Sequence, residues 1–535
     1  MTLARSRLLV TAGLLVGLLV AALDQTIVDT AFPSMIADLH GEAIFTWVLT
    51  AYMLASTSIV PVVGKLADIY GRKVFYLGGL ALFVGGSMLC GAAQSMTQLI
   101  LFRAIQGVGG GMLMPIAFTI VGDLFPGEQR AKMQGVFGAT WGLASVVGPK
   151  LGGWITHEYS WRWIFYVNLP VGIVAFLLMY LYYKESRGAR RPIDWLGSVT
   201  VTSGIVLLLL ALTQGGNAWA WVSWQSLTLL GIAAALLITF VFVEKKVKEP
   251  VLDLSLFRNR TFTVMSTVGF LMGAGMFGAI VFVPWFIQGV VGVDANQAGN
   301  VMTPMMMTMV ISSILAGRMA LKVPYRYQIS AGFLIVGLGF YTMTGWTPET
   351  TTMQATISTM IMGAGMGQIM PIMMLAVQNA FPGSRRGVVT SASTFFRSVG
   401  GTVGVAIFGV IFNSQMTERF QTTLAPRVAE LGPLLAQMPE QARAFFSQIA
   451  HDPELLIGVL LRPEARAALP PQFAPEFVAA VKGMMAQSLH VVFWTSISVV
   501  AVGLVLAQFL GRTSLKGQAK EVGGEVHVEM PIAAD

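Results

Sequence analysis

Four ionisable side chains stand where a membrane would leave them little water. Asp24 and Asp29 lie in AALDQTIVDTAFP (21–33), at the end of an apolar run that starts at Leu8. Arg103 lies in LFRAIQGVGGGMLMP (101–115) and Lys150 in GLASVVGPKLGG (142–153), both within further apolar stretches. An ionisable group inside a membrane span costs about 2.5–3.5 kcal/mol on insertion scales, which makes it a functional candidate by default. A carboxyl in such a place can take up and release a proton, or hold a cation. A guanidinium or ammonium that approaches it favours the charged form, while burial favours the neutral one. These residues could carry proton and cation chemistry; nothing about them suggests bond-making.

The elements that must position them follow from composition. The chain has 535 residues, of which 55% are hydrophobic and 11% charged, whereas soluble proteins carry about 25% charged residues. Windows of about 20 apolar residues recur, a length that matches a ~30 Å hydrocarbon layer. Lipid offers the backbone no partners, so each window should be a helix. Fourteen such spans are expected, from 8–31 to 488–511. Arg5 and Arg7 precede a run too long for a signal peptide, so a first span is expected there.

Basic residues fall on alternate loops: Lys65, Arg72 and Lys73; Lys184, Arg187, Arg190 and Arg191; Lys245, Lys246 and Lys248; Arg385 and Arg386. By the positive-inside rule these loops, and both termini, are cytoplasmic. The formal charge of +8 is therefore topology and not a nucleic-acid footprint. A single cysteine, Cys90, and scattered histidines offer no disulfide framework or metal cluster. No Walker-type phosphate loop is present. Neither an enzyme nor a bound cofactor is expected.

The chain also repeats itself. GVGGGMLMPIAFTIVGDLFPGEQR (107–130) and GAGMGQIMPIMMLAVQNAFPGSRR (363–386) share Gly107, Gly109, Gly111, Gly127, Met114, Pro115, Pro126 and Arg130 at a shift of 256. Shared apolar composition would not align glycine, proline and arginine together. GKLADIYGRK (64–73) and GRMALKVPYR (317–326) match more weakly. The expected organisation is an N-terminal six-helix bundle (1–184), two inserted helices with linkers (185–250), and five helices of a C-terminal bundle (251–412). A proline-rich external segment (413–487), a last helix (488–511) and a cytoplasmic tail (512–535) complete it. Repeated halves that face one another are how many secondary transporters achieve alternating access.

With these stretches in view, nearly the whole chain resembles the major facilitator superfamily, in its fourteen-span drug:proton antiporter branch of the EmrB/QacA type. GKLADIYGRK is similar to that superfamily's cytoplasmic signature loop. RAIQGVGGGMLMP is similar to its fourth-span signature, GLASVVGPKLGG to its fifth-span antiporter signature, and LDQTIVDTAFP to the branch's first-span signature. IDWLG (193–197) and LDLSLFRNRTF (252–262) also fit. Two positions depart from the pattern: Asp29, where Asn is commoner, and Lys150, where a small or apolar residue is usual.

The resemblance implies an all-α membrane protein of two six-helix bundles related by a pseudo-two-fold axis, with two additional helices. It implies a multidrug efflux antiporter of the bacterial inner membrane, driven by the proton gradient, acting as a monomer among membrane lipids. It implies a cytoplasmic gate at Gly64, Asp68, Gly71, Arg72 and Lys73, with Arg130 nearby. It further implies that Gly142, Gly148, Pro149, Gly152 and Gly153 form a tight, bent contact that seals the antiporter against leak; plain close packing would need the same residues.

The charges themselves suggest the coupling. Counted from the outer ends of their spans at 1.5 Å per residue, Asp24 lies about 10 Å deep, and Arg103 and Lys150 about 9 Å. Asp29 is further out and roughly 140° around the helix from Asp24, so the two acids cannot address one spot. Asp24 would bind a proton or cargo by turns, tuned by Arg103; a static pair that fixes packing is the bland alternative. Gln106, Gly107, Gly110 and Met114 share a face with Arg103, which makes Gln106 and Met114 candidates to line a substrate cavity. Asp29 is either a second, outer acid or a partner of Lys150, and Lys150 either serves anionic cargo or neutralises an acid. Arg397 has no acid assigned to it. The expected function is proton-coupled export of lipophilic, often cationic compounds. Export of lipid-like or anionic amphiphiles is the alternative. A non-transporting receptor or scaffold would have no need of costly charges in its spans.

Overall fold

Apolar runs bounded by capping residues set the helices. The computed structural model describes residues 3–39, 44, 47–125, 127–184, 192–216, 219–247, 249–293, 295–320, 322–424, 426 and 474–511. The first set of helices is α1 (Leu3–Leu39), α2 (Trp47–Tyr70), α3 (Arg72–Gly91), α4 (Met96–Leu124), α5 (Gly127–Glu158), and a short α6 (Trp163–Tyr166) that runs into α7 (Asn168–Tyr182). Then come α8 (Trp195–Gln214) and α9 (Trp224–Glu244). The second set is α10 (Arg260–Trp285), α11 (Ala295–Met319), α12 (Tyr325–Met343), α13 (Thr352–Asn379), α14 (Arg386–Arg419) and α15 (Ala474–Ala507). Side-chain oxygens of Ser95, Asp194 and Ser223 cap α4, α8 and α9, and Thr351 with Gln354 forms a capping box on α13. Each satisfies backbone N–H groups that a helix start would leave open.

Eleven described helices, counting α6 with α7, are long and apolar enough to cross a membrane. α5, α10 and α12 fall outside that group; each opens on a polar turn, GEQR, RTFT and YRYQ. They pack on members of it all the same, α5 on α1, α10 on α14 and α12 on α13. α14 and α15 extend into the segment 413–487 from both sides, to Arg419 and from Ala474. Phe420–Leu424 continue α14 as a π-helical turn; residues 425 and 427–473, the linker 185–191 and the tail beyond 511 lie outside the described residues.

The two sets repeat one another's packing. In the first, α1 packs on α5 and α7, α4 on α2 and α3, and α3 on α7. In the second, α10 packs on α14 and α15, α13 on α11 and α12, and α12 on α15. Across the halves α2 meets α14, and its counterpart α11 meets α5. This is the packing that the sequence repeat demands: equivalent apolar faces find equivalent partners. α8 touches both α2 and α14, so the inserted pair leans on the seam between the halves.

The α1–α5 contact is the tightest fit that bears on the membrane charges. A Cβ at Gly148 would meet Thr26 Oγ1 at 2.0 Å, and one at Gly152 would meet Thr30 Oγ1 at 2.3 Å. Thr26 donates to the Ala144 carbonyl of α5 at 3.1 Å. Gly142 lies at ordinary distance from Met306 and Val310 of α11, and nothing stands within 4 Å of a Cβ at Gly153. Gly148→Val should therefore destabilise the protein by about 1–3 kcal/mol, as overpacking does, whereas Gly153→Ala should leave it unchanged. Thermal unfolding of the two variants in detergent checks this.

Candidate functional site

Asp24 is fully buried in the first half, and five helices and the short α6 bring their side chains or backbone to the cluster around it. From α4, Arg103 Nη1 donates to Asp24 Oδ2 at 2.5 Å and to Gln106 Oε1 at 2.8 Å. Gln106 Nε2 donates to Asp24 Oδ1 at 2.8 Å. From α7, Asn168 Nδ2 donates to the same oxygen at 3.2 Å and to Ser87 of α3 at 3.0 Å. Ser87 in turn donates to the Phe165 carbonyl of α6 at 2.8 Å. From α2, the Val48 carbonyl accepts from Arg103 Nε at 3.4 Å, and the Tyr52 ring lies 4.3 Å below the guanidinium. Asp24, Arg103, Gln106 and Ser87 show no exposure.

The helical spacing explains the convergence. Arg103 and Gln106 are three residues apart, hence neighbours on one face of α4. That face meets α1 at Asp24. The carboxylate accepts three donors, and Arg103 spans carboxylate, amide, carbonyl and ring. Its Nη2 has no hydrogen-bond partner among the described residues, so the site is one donor over-supplied.

At the end carrying Lys65, Arg72 and Arg386, called here the basic end, a second set of charges joins the halves. Asp68 accepts from Arg72 Nη2 at 3.0 Å in its own half and from the Val388 backbone N–H of α14 at 3.0 Å. Arg72 also pairs with Asp123 and reaches the Gly383 carbonyl. The repeat then shows itself in the contacts. Arg130 donates to Asn379 Oδ1 at 2.8 Å, and its repeat partner Arg386 donates to Asp123 Oδ1 at 3.1 Å. Asp123 and Asn379 are themselves repeat partners, so the two arginines cross between the halves to equivalent positions. Burial, and then the nearby Arg386, pulls Arg130 down to about 10, so it remains charged at neutral pH. Gly64 lets α2 close on α14: a Cβ there would meet Ser391 Oγ at 2.2 Å.

The structure thus brings together Asp24, Arg103 and Gln106 at one site, and Gly64, Asp68, Arg72 and Arg130 at another. Gly71, between α2 and α3, takes φ 106, a backbone that favours glycine. Lys73 turns back to the Tyr180 carbonyl within the first half. Gly107 is buried, and Met114 is partly exposed a further turn and more along α4. Lys150 is not brought to Asp24. It is exposed on the face of α5 that carries Leu143, Val147 and Trp154, while Gly148 and Gly152 face α1; Pro149 is exposed too. The side chain of Asp29 lies outside the described residues.

Sequence reasoning did not single out Tyr52, Ser87, Asn168 or Asp123. The available signal was weak: each is a polar side chain within or at the end of an apolar span, and no spacing on one helix names a partner on another.

A family model described as Major Facilitator Superfamily matches residues 14–405. Multidrug transporter protein MdtP of Bacillus subtilis (strain 168) is 45% identical over 523 residues, which cover 96% of this chain and 95% of that protein. Multidrug resistance protein 3 of the same organism is 38% identical over 512 residues, covering 96% of each. Among solved structures, the human organic anion transporter MFSD10 (TETRAN) shares the fold with a TM-score of 0.61, at 13% identity, over 94% of this chain and 99% of that one.

Removing one partner of a buried ion pair strands the other and costs about 3–5 kcal/mol. Asp24→Asn and Arg103→Gln should each lower thermal stability in detergent. The double variant, which strands no charge, should recover most of the loss, and a double-mutant cycle measures the coupling.

Proposed function

The chain belongs to the Major Facilitator Superfamily, and on that footing we propose that it is a fourteen-span, proton-coupled multidrug exporter. It moves lipophilic compounds across a bacterial inner membrane by alternating access, with both termini in the cytoplasm. The observation that carries this reading is the Asp24–Arg103 pair, a titratable acid held at 2.5 Å by a guanidinium with no exposure of either.

In this reading a proton that reaches Asp24 neutralises the carboxylate and weakens its hold on Arg103. The guanidinium, already one donor over-supplied, shifts to other acceptors, and α4 moves against α1. The basic end faces the cytoplasm by the distribution of lysine and arginine. The bonds from Asp68 to Val388, Arg72 to Gly383, Arg130 to Asn379 and Arg386 to Asp123 close that end in the state described. Breaking them opens the cargo path to the cytoplasm. Because each step changes the charge of a buried site, proton entry and cargo exit are coupled. A membrane potential supplies about 2.3 kcal/mol per charge per 100 mV to such a cycle. The names of the two Bacillus relatives support the breadth of cargo. Cation cargo would have to compete with the proton for Asp24 once that acid is uncovered.

Purified protein in liposomes tests the reading. Cargo such as ethidium should drive proton movement reported by an internal pH dye, and an imposed proton gradient should drive ethidium uphill. Asp24→Asn should abolish both while inserting normally. Full proton-driven transport by that variant would remove Asp24 from the mechanism.

A further inference from the structure

Arg397 is the membrane cation to which the coupling cycle gives no task. It lies in α14, eleven residues beyond Arg386 at the basic end. At 1.5 Å per residue that is about 16 Å along the helix, near the middle of a ~30 Å hydrocarbon layer. Its side chain is partly exposed. It crosses to the opposite half, where Nη2 stands 3.9 Å from Met114 Sδ of α4. A thioether is a weak acceptor without charge. Among the described residues no ion pair includes Arg397, although Arg103, the other arginine at membrane depth, is paired and sealed.

The surroundings on that side are apolar and partly exposed. Between Gly109 and Gly122 only Gly110, Met114 and Phe118 escape full burial, a stripe at i, i+4 and i+8 on one face of α4. Met370, the repeat partner of Met114, is the one residue of 365–378 in α13 that is not buried. So each half shows a methionine at the matching place, and Arg397 reaches the one on α4. A guanidinium at this depth, with an apolar lining and no acid, is half of an ion pair. Guanidinium recognises planar or tetrahedral oxyanions by two parallel N–H bonds, and these gain strength where water is scarce. Methionine adapts to varied apolar shapes.

We propose that Arg397 binds an oxyanion carried by the cargo: the carboxylate or phosphate head of an amphiphile whose apolar body lies along Met114 and Phe118. The inference rests on the exporter reading, since cargo must reach the space between the halves. It gives that cargo a charge. The acid of the transport cycle is sealed in the first half, and the open charge between the halves is positive.

Equilibrium binding to the full-length protein in detergent, with no proton gradient, tests the site apart from transport. The probe is 11-(dansylamino)undecanoic acid, followed by its fluorescence; decanoate and lysophosphatidylglycerol serve as competitors, and tetraphenylphosphonium is the cationic control. Wild type should bind the dansyl carboxylate. Displacement by decanoate assigns a carboxylate head, and displacement by lysophosphatidylglycerol a phosphate head. Arg397→Gln should weaken the carboxylate about tenfold or more and leave tetraphenylphosphonium within about twofold, as loss of a charge-assisted bidentate pair predicts. Arg397→Lys, which keeps the charge and guards against misfolding, should fall between the two. Unchanged carboxylate binding by Arg397→Gln overturns the inference. So does equal loss of the cation, or a wild type that binds neither oxyanion. If wild type shows Arg397-dependent binding yet moves no probe in liposomes under a proton gradient, the site stands and the exporter reading falls.

Discussion

Lipid supplies no hydrogen-bond partner, so a carboxylate sealed inside the bundle must be matched from within the protein. That constraint accounts for the shape of the first half. One carboxylate on α1 must be satisfied, and α4 and α7 supply three donors to it. The donors must themselves be held, which brings in Ser87 of α3 and the Val48 carbonyl and Tyr52 ring of α2. A helix bundle packed by van der Waals contact alone could slide. Here the buried network fixes the register of five helices against one atom pair, so a change of charge on Asp24 is felt by all five.

Gene-level duplication solves the opposite problem, how to make a contact that can break. At the basic end the halves meet through polar groups set at the edge of the apolar layer, where water can replace a lost partner. Arg130 and Arg386 are the same residue in two copies of one segment, and each reaches the other copy's 123/379 position. Crossed contacts of this kind form or fail together. The first half alone keeps an acid at position 68, which accepts from Arg72 and from the start of α14. The weaker match aligns Leu321 with it. The polar contact at the basic end is therefore symmetric in its arginines and asymmetric in its acid.

Much of this was legible in the sequence because the signals were local. Asp24 and Arg103 announce themselves as costly charges in apolar runs, and similar depth made them candidates to meet, as it did Lys150. The repeat 107–130/363–386 foretold the doubled packing. What was not legible depends on azimuth and on which helix faces which. Lys150 has the depth of Asp24, but it sits half a turn from Gly148, and Gly148 is the residue that faces α1; the ammonium is thereby turned to an exposed face. Asn168 and Ser87 are ordinary small polar residues until α7 and α3 are laid beside α1. Asp123 stands near the end of α4, and only the assembled structure brings Arg72 and the crossed Arg386 to it. The apolar runs of α5, α10 and α12 read as spans in the sequence; the eleven described helices of greatest apolar length leave them out, but their packing joins them to the rest.

The Asp24 site and the seam between the halves are joined by a short run of direct contacts. Thr26 and Thr30 lie within two turns of Asp24 on α1 and are seated against Gly148 and Gly152. With no side chain on either glycine, α1 and α5 have little slack between them, so α5 follows a tilt or slide of α1. Further along, Gly142 puts α5 against Met306 and Val310 of α11 in the other half, and the foot of α5 carries Arg130, bonded to Asn379. One helix thus touches the acid-bearing helix, the opposing half and the polar contact at the basic end. Contiguity alone does not establish coupling; what α5 adds is a tight seat against α1 at Gly148 and Gly152, in series with a polar contact at Arg130 that water can replace. A stiff contact in series with a breakable one passes displacement to the breakable end.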